Sequence, residues 1–147
     1  MEISLEQDDE WFNALPHNGE VYDLIYRAVS GTDPVDRLRA VVTLGKSGDP
    51  RGVRPLVDLL GDTDKEIRLA ATTALGSLKS GRPVDELIER LRDRSEQMTI
   101  REQAAVALTA IRSTGALMGM REFVADEDED LKLRLYAGNL LKSIGFL

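Results

Sequence analysis

The sequence predicts an all-α fold, an array of about four antiparallel helix hairpins packed in series. The first observation behind this is an internal repeat, the feature to seek before any other. Four segments align without gaps: DRLRAVVTLG from Asp36, IRLAATTALG from Ile67, IREQAAVALT from Ile100 and LRLYAGNLLK from Leu133, at steps of 31, 33 and 33 residues. In this register Arg37, Arg68, Arg101 and Arg134 coincide, as do Ala40, Ala71, Ala104 and Ala137, and Leu44, Leu75, Leu108 and Leu141. The second observation is apolar spacing of three and four residues, the mark of a one-sided helix. The third is that no stretch alternates with period two for long enough to make a strand.

The elements follow in chain order. Residues 1–19 precede the repeats, and LEQDDEWFNAL carries the sole tryptophan, with Leu5, Trp11, Phe12 and Leu15 at helical spacing. Terminal repeats of such an array need covering, so a capping helix is expected here; a peptide held in a neighbouring molecule's groove is the alternative. The repeats are expected at 20–48, 49–81, 82–114 and 115–147. Their first helices are VYDLIYRAV from Val21, VRPLVDLL from Val53, VDELIERL from Val84 and LMGMREFV from Leu117; Val53, Leu56 and Leu60 share one face, as do Val84, Leu87 and Leu91. The second helices should start near Pro34, Lys65, Thr99 and Glu129. Asp33-Pro34 and Asp49-Pro50 each supply an N-cap followed by a proline at the first helical position. Gly31, Gly48, Gly61, Gly81 and Gly115 fall between periodic segments, where helices stop.

Composition narrows the function. A chain of 147 residues is large enough for a real core. It has no cysteine, hence no disulfide, thiol nucleophile or thiolate metal site, which makes the cytoplasm the expected compartment. MEISLEQDDE has neither the basic nor the apolar region of a leader, and no apolar run is long enough to cross a bilayer, so no membrane is expected. A net charge of −7 disfavours phosphate backbones, so no nucleic acid is expected.

A helix ending LVDLLGD, an acidic turn and then IRLAATTALG resemble the HEAT repeat, and the short alanine-rich form is similar to the phycobilisome-lyase HEAT-like repeats. The resemblance covers roughly residues 20 to 145. It implies a right-handed α-solenoid with first helices on the convex side and second helices on the concave side. HEAT repeats also tie successive turns together with an aspartate and a basic residue. Asp62, Asp93 and Asp126 recur six to eight residues before Arg68, Arg101 and Arg134. These residues, with Arg37, are expected to form charge-assisted bonds at the inter-repeat seams rather than an anion-binding ladder. The first repeat has Gly31 at the aspartate position, which leaves Arg37 without that partner or with Asp33.

Ile67, Ala71, Ala74, Leu75 and Leu78 share the packing face of their helix. The opposite side should be polar, yet Leu38, Leu69, Glu102 and Leu135 lie there beside Val41, Val42, Thr72, Thr73, Ala105 and Val106. So apolar a face is too much for plain solvent. On the inferred fold it lines the inner groove, and contiguous apolar surface marks an interface. The competing reading is that curvature buries some of these residues between neighbouring helices.

Catalytic residue types are sparse. His17 is the sole histidine and lies outside the repeats. Zinc and di-iron sites need several clustered ligands, so no metal or cofactor is expected. The HEAT-repeat enzyme deoxyhypusine hydroxylase binds iron through His-Glu pairs, and this chain contains none. No Gly-rich phosphate loop follows a strand, and no nucleophile matches a histidine base. DEDED, Asp126 to Asp130, lacks the spaced ligands and central glycine of a Ca²⁺ loop and reads as an acidic turn feeding the next helix N-terminus. The expected function is therefore a non-catalytic module, compatible with a monomer, that binds a protein or peptide through the groove. A subunit of a chromophore-lyase-like or other enzyme assembly is the alternative, and nucleic-acid binding ranks behind both.

Overall fold

A computed structural model describes residues 18–147, all helical apart from turns, with side chains described from residue 20. The helices are α1 (Asn18–Ser30), α2 (Pro34–Ser47), α3 (Val53–Leu59), α4 (Lys65–Leu78), α5 (Val84–Arg92), α6 (Met98–Ile111), α7 (Thr114–Ala125) and α8 (Leu131–Ser143), with a 3-10 turn at Pro50–Gly52 before α3. The odd-numbered helices are the first and the even-numbered the second members of four hairpins. Second helices expected near Thr99 and Glu129 start at Met98 and Leu131. Of the expected capping segment 1–19, residues 1–17, with Trp11 and His17, lie outside the described residues, and Asn18 and Gly19 belong to α1.

Local chemistry sets the boundaries. The Val35 N–H donates to Asp33 Oδ1 at 3.1 Å and Pro34 fills the first turn of α2. The Glu66 N–H donates to Asp64 at 2.8 Å, and the Leu133 N–H to Asp130 at 2.9 Å, so α4 and α8 each start on an aspartate N-cap. The α2 helix stops at Gly48, whose φ of 70° strains an L side chain but not glycine. At the corresponding ends of α4 and α6, Lys79 and Arg112 adopt the same left-handed conformation.

The core runs the length of the array. Leu44, Leu75, Leu108 and Leu141 are each completely buried, and Ala40, Ala71, Ala104 and Ala137 nearly so. Leu56 of α3, Leu87 and Leu91 of α5 and Met120 and Phe123 of α7 meet them from the first-helix side. Burying one such leucine contributes about 1.5–3 kcal/mol, and no hairpin alone could cover the stripe. The second helices form the tighter layer, with α2, α4, α6 and α8 packed in that order. Close approach is built in. A Cβ on Gly45 would fall 2.7 Å from Ala74 Cα, and one on Gly76 would fall 2.9 Å from Ala107 Cα. Glycine in one helix thus sits against alanine in the next, twice in succession. The architecture is an all-helical α-solenoid.

Candidate functional site

A groove of about 620 Å³ runs over the second-helix layer, built from α2, α4 and the start of α6, with no contribution from an odd-numbered helix. Four of the ten residues expected at the groove line it: Leu38 and Val42 from α2, Leu69 and Thr73 from α4. They recur because residues four apart on a helix face one way. The groove extends beyond the expected set to Gly45, Lys46, Lys65, Ala70, Ser77 and Thr99. Ala70 and Ala74 keep the floor low, and the lack of a side chain on Gly45 brings α2 and α4 together beneath it. Lys46 and Lys65 stand on its rim with Glu66. The sequence signal for this floor is small residues in the aligned segments, Gly45 closing the first and Ala70 and Ala74 within the second.

The other six residues divide. Val41, Thr72 and Ala105 have 0% exposure and belong to the helix–helix contacts, which corrects their assignment to the groove. Parallel neighbours cover a position three residues beyond the groove leucine from the side, and the Thr72 hydroxyl is satisfied by donating to the Arg68 carbonyl at 2.7 Å. Glu102 and Val106, both half-buried on α6, and the exposed Leu135 on α8 lie outside this cavity.

The seams hold a second polar system, and its partners differ from those expected. Arg37 donates to Asp62 of the following hairpin at 2.8 Å and to the carbonyl of Ala28 at 3.0 Å. Arg68 grips Glu96 with two bonds of 2.9 and 3.0 Å and also donates to the carbonyls of Asp62 and Thr63. Arg101 donates to the Leu91 carbonyl at 2.9 Å and to Glu129 at 3.2 Å, with both side chains 5% exposed. Each of these arginines therefore fastens the end of its own first helix, or for Arg68 the turn after it, and reaches forward to the turn of the next hairpin. Asp93 instead pairs with Arg90 and Ser95, and Asp126 with Arg92. Arg134 donates to the Val124 carbonyl at 3.0 Å, and among the described residues no carboxylate lies within ion-pair distance of it.

The seam charges tune one another. Burial pushes the Glu96 carboxyl up, but bonds from Arg68 and the Gln97 N–H, with the charges of Arg68 and Arg90, hold it below its ordinary value. Asp62 is likewise raised by burial and held low overall by Arg37, the Asp64 N–H and the Arg68 charge. Among the described residues, no group of three or more His, Asp or Glu side chains is arranged to hold a metal ion, and no helix is long and apolar enough to cross a membrane.

Human deoxyhypusine hydroxylase, solved in complex with glycerol, has a similar fold, with a TM-score of 0.72 and 23% identity over 83% of this chain and 42% of that one. The chain thus spans less than half the length of that structure, and the likeness is one of fold. Comparison with curated protein sequences gives no match. The sequence profile of HEAT repeats matches residues 22–99, more than half of the chain. With its hairpins, leucine ladder and arginine-bridged seams, the chain belongs to the HEAT-repeat family.

Proposed function

We propose that the chain is a non-catalytic interaction module that binds a protein or peptide segment along the groove over α2 and α4. The observation that carries this is the groove itself, open to solvent yet floored by Leu38, Val42, Leu69, Ala70 and Ala74. Apolar surface is unfavourable in water, and covering it recovers about 25 cal/mol per Å². The repeat layout supports the same reading, because solenoids present extended surfaces of this kind to partners. The lack of cysteine supports a reducing compartment such as the cytoplasm.

The test is affinity capture from a native lysate by the wild-type chain and by Leu38→Glu/Leu69→Glu. Both leucines are half-buried at the groove, so circular dichroism must first show that the double variant stays folded. Specific proteins retained by the wild type should then be lost. An identical set of captured proteins from both baits would rule the groove out as the interface.

A further inference from the structure

We infer that the outer side of α8 is a docking surface for a helix hairpin of a partner protein, one whose turn brings a carboxylate to Arg134. This end face is separate from the groove over α2 and α4 and does not rest on it. The seams inside the array show what such a surface looks like. Arg37 and Arg101 each donate through Nε to the last turn of their own first helix, at the Ala28 and Leu91 carbonyls. Through a terminal nitrogen each then reaches a carboxylate in the next turn, Asp62 and Glu129. Arg134 makes the first half of this pattern, from Nε to the Val124 carbonyl at 3.0 Å, and among the described residues no carboxylate makes the second. The apolar part is half built as well. On α2, α4 and α6 the side facing the next second helix is covered, with Val41, Thr72 and Ala105 completely buried. In the neighbouring column Leu38, Leu69 and Glu102 are half-buried, whereas Leu135 of α8 is 59% exposed and Leu131, one turn before it, 63%. Exposed leucines beside a half-paired arginine continue an interface the chain has already used three times.

Charge decides the occupant. In a chain of net charge −7, α8 carries Lys132, Arg134 and Lys142 and no acid. In the turn before it, Asp126 and Glu129 face back to Arg92 and Arg101, and Asp130 caps α8. Glu127 and Asp128 are exposed in the same turn, and neither is within ion-pair distance of Arg134. Two α8 helices set face to face would oppose their cations. The other end of a second copy fits no better. Six and five residues before Arg37 stand Gly31 and Thr32, where the later turns carry Asp62 or Glu96 and Glu129. Asp33 is present in that first turn, but it caps α2 as Asp64 and Asp130 cap their helices. On α2 the exposed Arg39 and Thr43 replace Ala70 and Ala74, the residues with which α4 meets α2, and Arg39 adds a further positive charge. A different chain with an acidic turn satisfies both halves of the surface and extends the seam pattern by one unit.

The test uses the chain's own last hairpin as the probe, with residues 113–147 appended in duplicate after Leu147 of the full chain. A lone hairpin cannot cover its apolar face, so protected amides in the appended copy report docking. Exchange of the original α8 amides should slow by about tenfold or more, and helical amides of the appended copy should become protected. Glu129→Gln confined to the appended copy leaves every original contact in place and should cancel most of that gain. Leu135→Glu in the original α8 should cancel it too, and the exposure of Leu135 lets the fold itself tolerate the change. An appended hairpin that exchanges freely, or a gain untouched by Glu129→Gln, would overturn the proposal. Equilibrium sedimentation of the unextended chain supplies a second readout and should report a monomer. A dimer that Leu135→Glu abolishes would sink the proposal as well, by assigning the face to a second copy.

Discussion

Arg68 shows what the repeated arginine does. Its guanidinium meets both oxygens of Glu96, a side chain only 2% exposed, while another nitrogen donates to two carbonyls at the end of the preceding turn. A single side chain thus satisfies groups from two hairpins, a geometry that lysine, with one point charge, cannot reproduce. Arg68→Ala should leave the buried Glu96 carboxylate without its two-bond partner, held only by the Gln97 N–H and by Arg90 at 3.5 Å, which costs about 1–3 kcal/mol. Urea unfolding measures this, and an unchanged midpoint would show that the bond is not stabilising. The same pair carries a pH signature. The Glu96 carboxyl is held below its ordinary value of 4.5 in the folded chain, so it binds protons more readily when unfolded. Its contribution is therefore complete above the unfolded value and is lost as pH falls through the folded one. Stability should drop as pH falls below the ordinary value of 4.5. In Arg68→Ala that part of the drop should shrink, because the largest cause of the lowered value is gone while the Gln97 N–H and the Arg90 charge remain. An acid-unfolding curve parallel to the wild type would contradict the assignment.

At the level of helices, glycine decides how closely the second-helix layer packs. Glycine in a helix interior ordinarily costs about 1 kcal/mol relative to alanine, so Gly→Ala should stabilise wherever there is room. Gly138 on α8 has room, since a Cβ there would meet only Val124 Cγ1 at 3.7 Å. Gly45 has none, because its Cβ would meet the Ala74 backbone and side chain at 2.7 Å, and backbone cannot swing aside. Gly138→Ala should raise stability by about 0.5–1 kcal/mol. Gly45→Ala should lower it by about 1–3 kcal/mol, with the overpacking outweighing the propensity gain. Thermal unfolding of both distinguishes them, and a shift in the same direction would refute the close-approach argument. Much of this layer is legible in the sequence. Proline and aspartate mark the starts of helices, and the leucine and alanine columns name the buried stripe. A helical wheel gives directions from one axis, however, and says nothing about what stands beside the helix. That is why the wheel points Val41, Thr72 and Ala105 at the groove although they lie in the contacts between helices. The seam partners are hidden for a different reason. Glu96 and Glu129 stand one residue before their helix-capping residues, Gln97 and Asp130, whereas Asp62 stands two before Asp64. No single alignment column holds all three, because Glu96 and Glu129 stand five residues before Arg101 and Arg134 but Asp62 six before Arg68, and each arginine reaches 25 to 28 residues forward rather than back into its own repeat.

Across the whole molecule, stability should be distributed by seam, because each hairpin touches only its neighbours. The first two seams combine a glycine–alanine contact with an arginine–carboxylate bond. The third has only the second device. Thr109 takes the glycine register on α6 and donates its hydroxyl to the Ala105 carbonyl at 2.8 Å, so α8 packs against α6 without the close approach seen earlier. What holds the last hairpin instead is charge: Arg92 on Asp126 at 3.1 Å, Arg101 on Glu129 at 3.2 Å, and Arg94 on the Asp128 carbonyl at 3.0 Å. Glu129 is the hub, buried and approached by three arginines. Its loss would leave Arg101 buried without its carboxylate, a penalty that falls on α7 and α8 because they complete the bond. Local unfolding free energies grade from near zero up to the global value, in cooperative units that follow such motifs. In native-state hydrogen exchange, α8 amides of the wild type should therefore open at lower free energy than those of α4. Glu129→Ala should lower the α7 and α8 values by a further ~1–3 kcal/mol while α4 keeps its protection. If α4 and α8 lost protection together, the array would be unfolding as one cooperative unit, and the third seam would not be its weak joint.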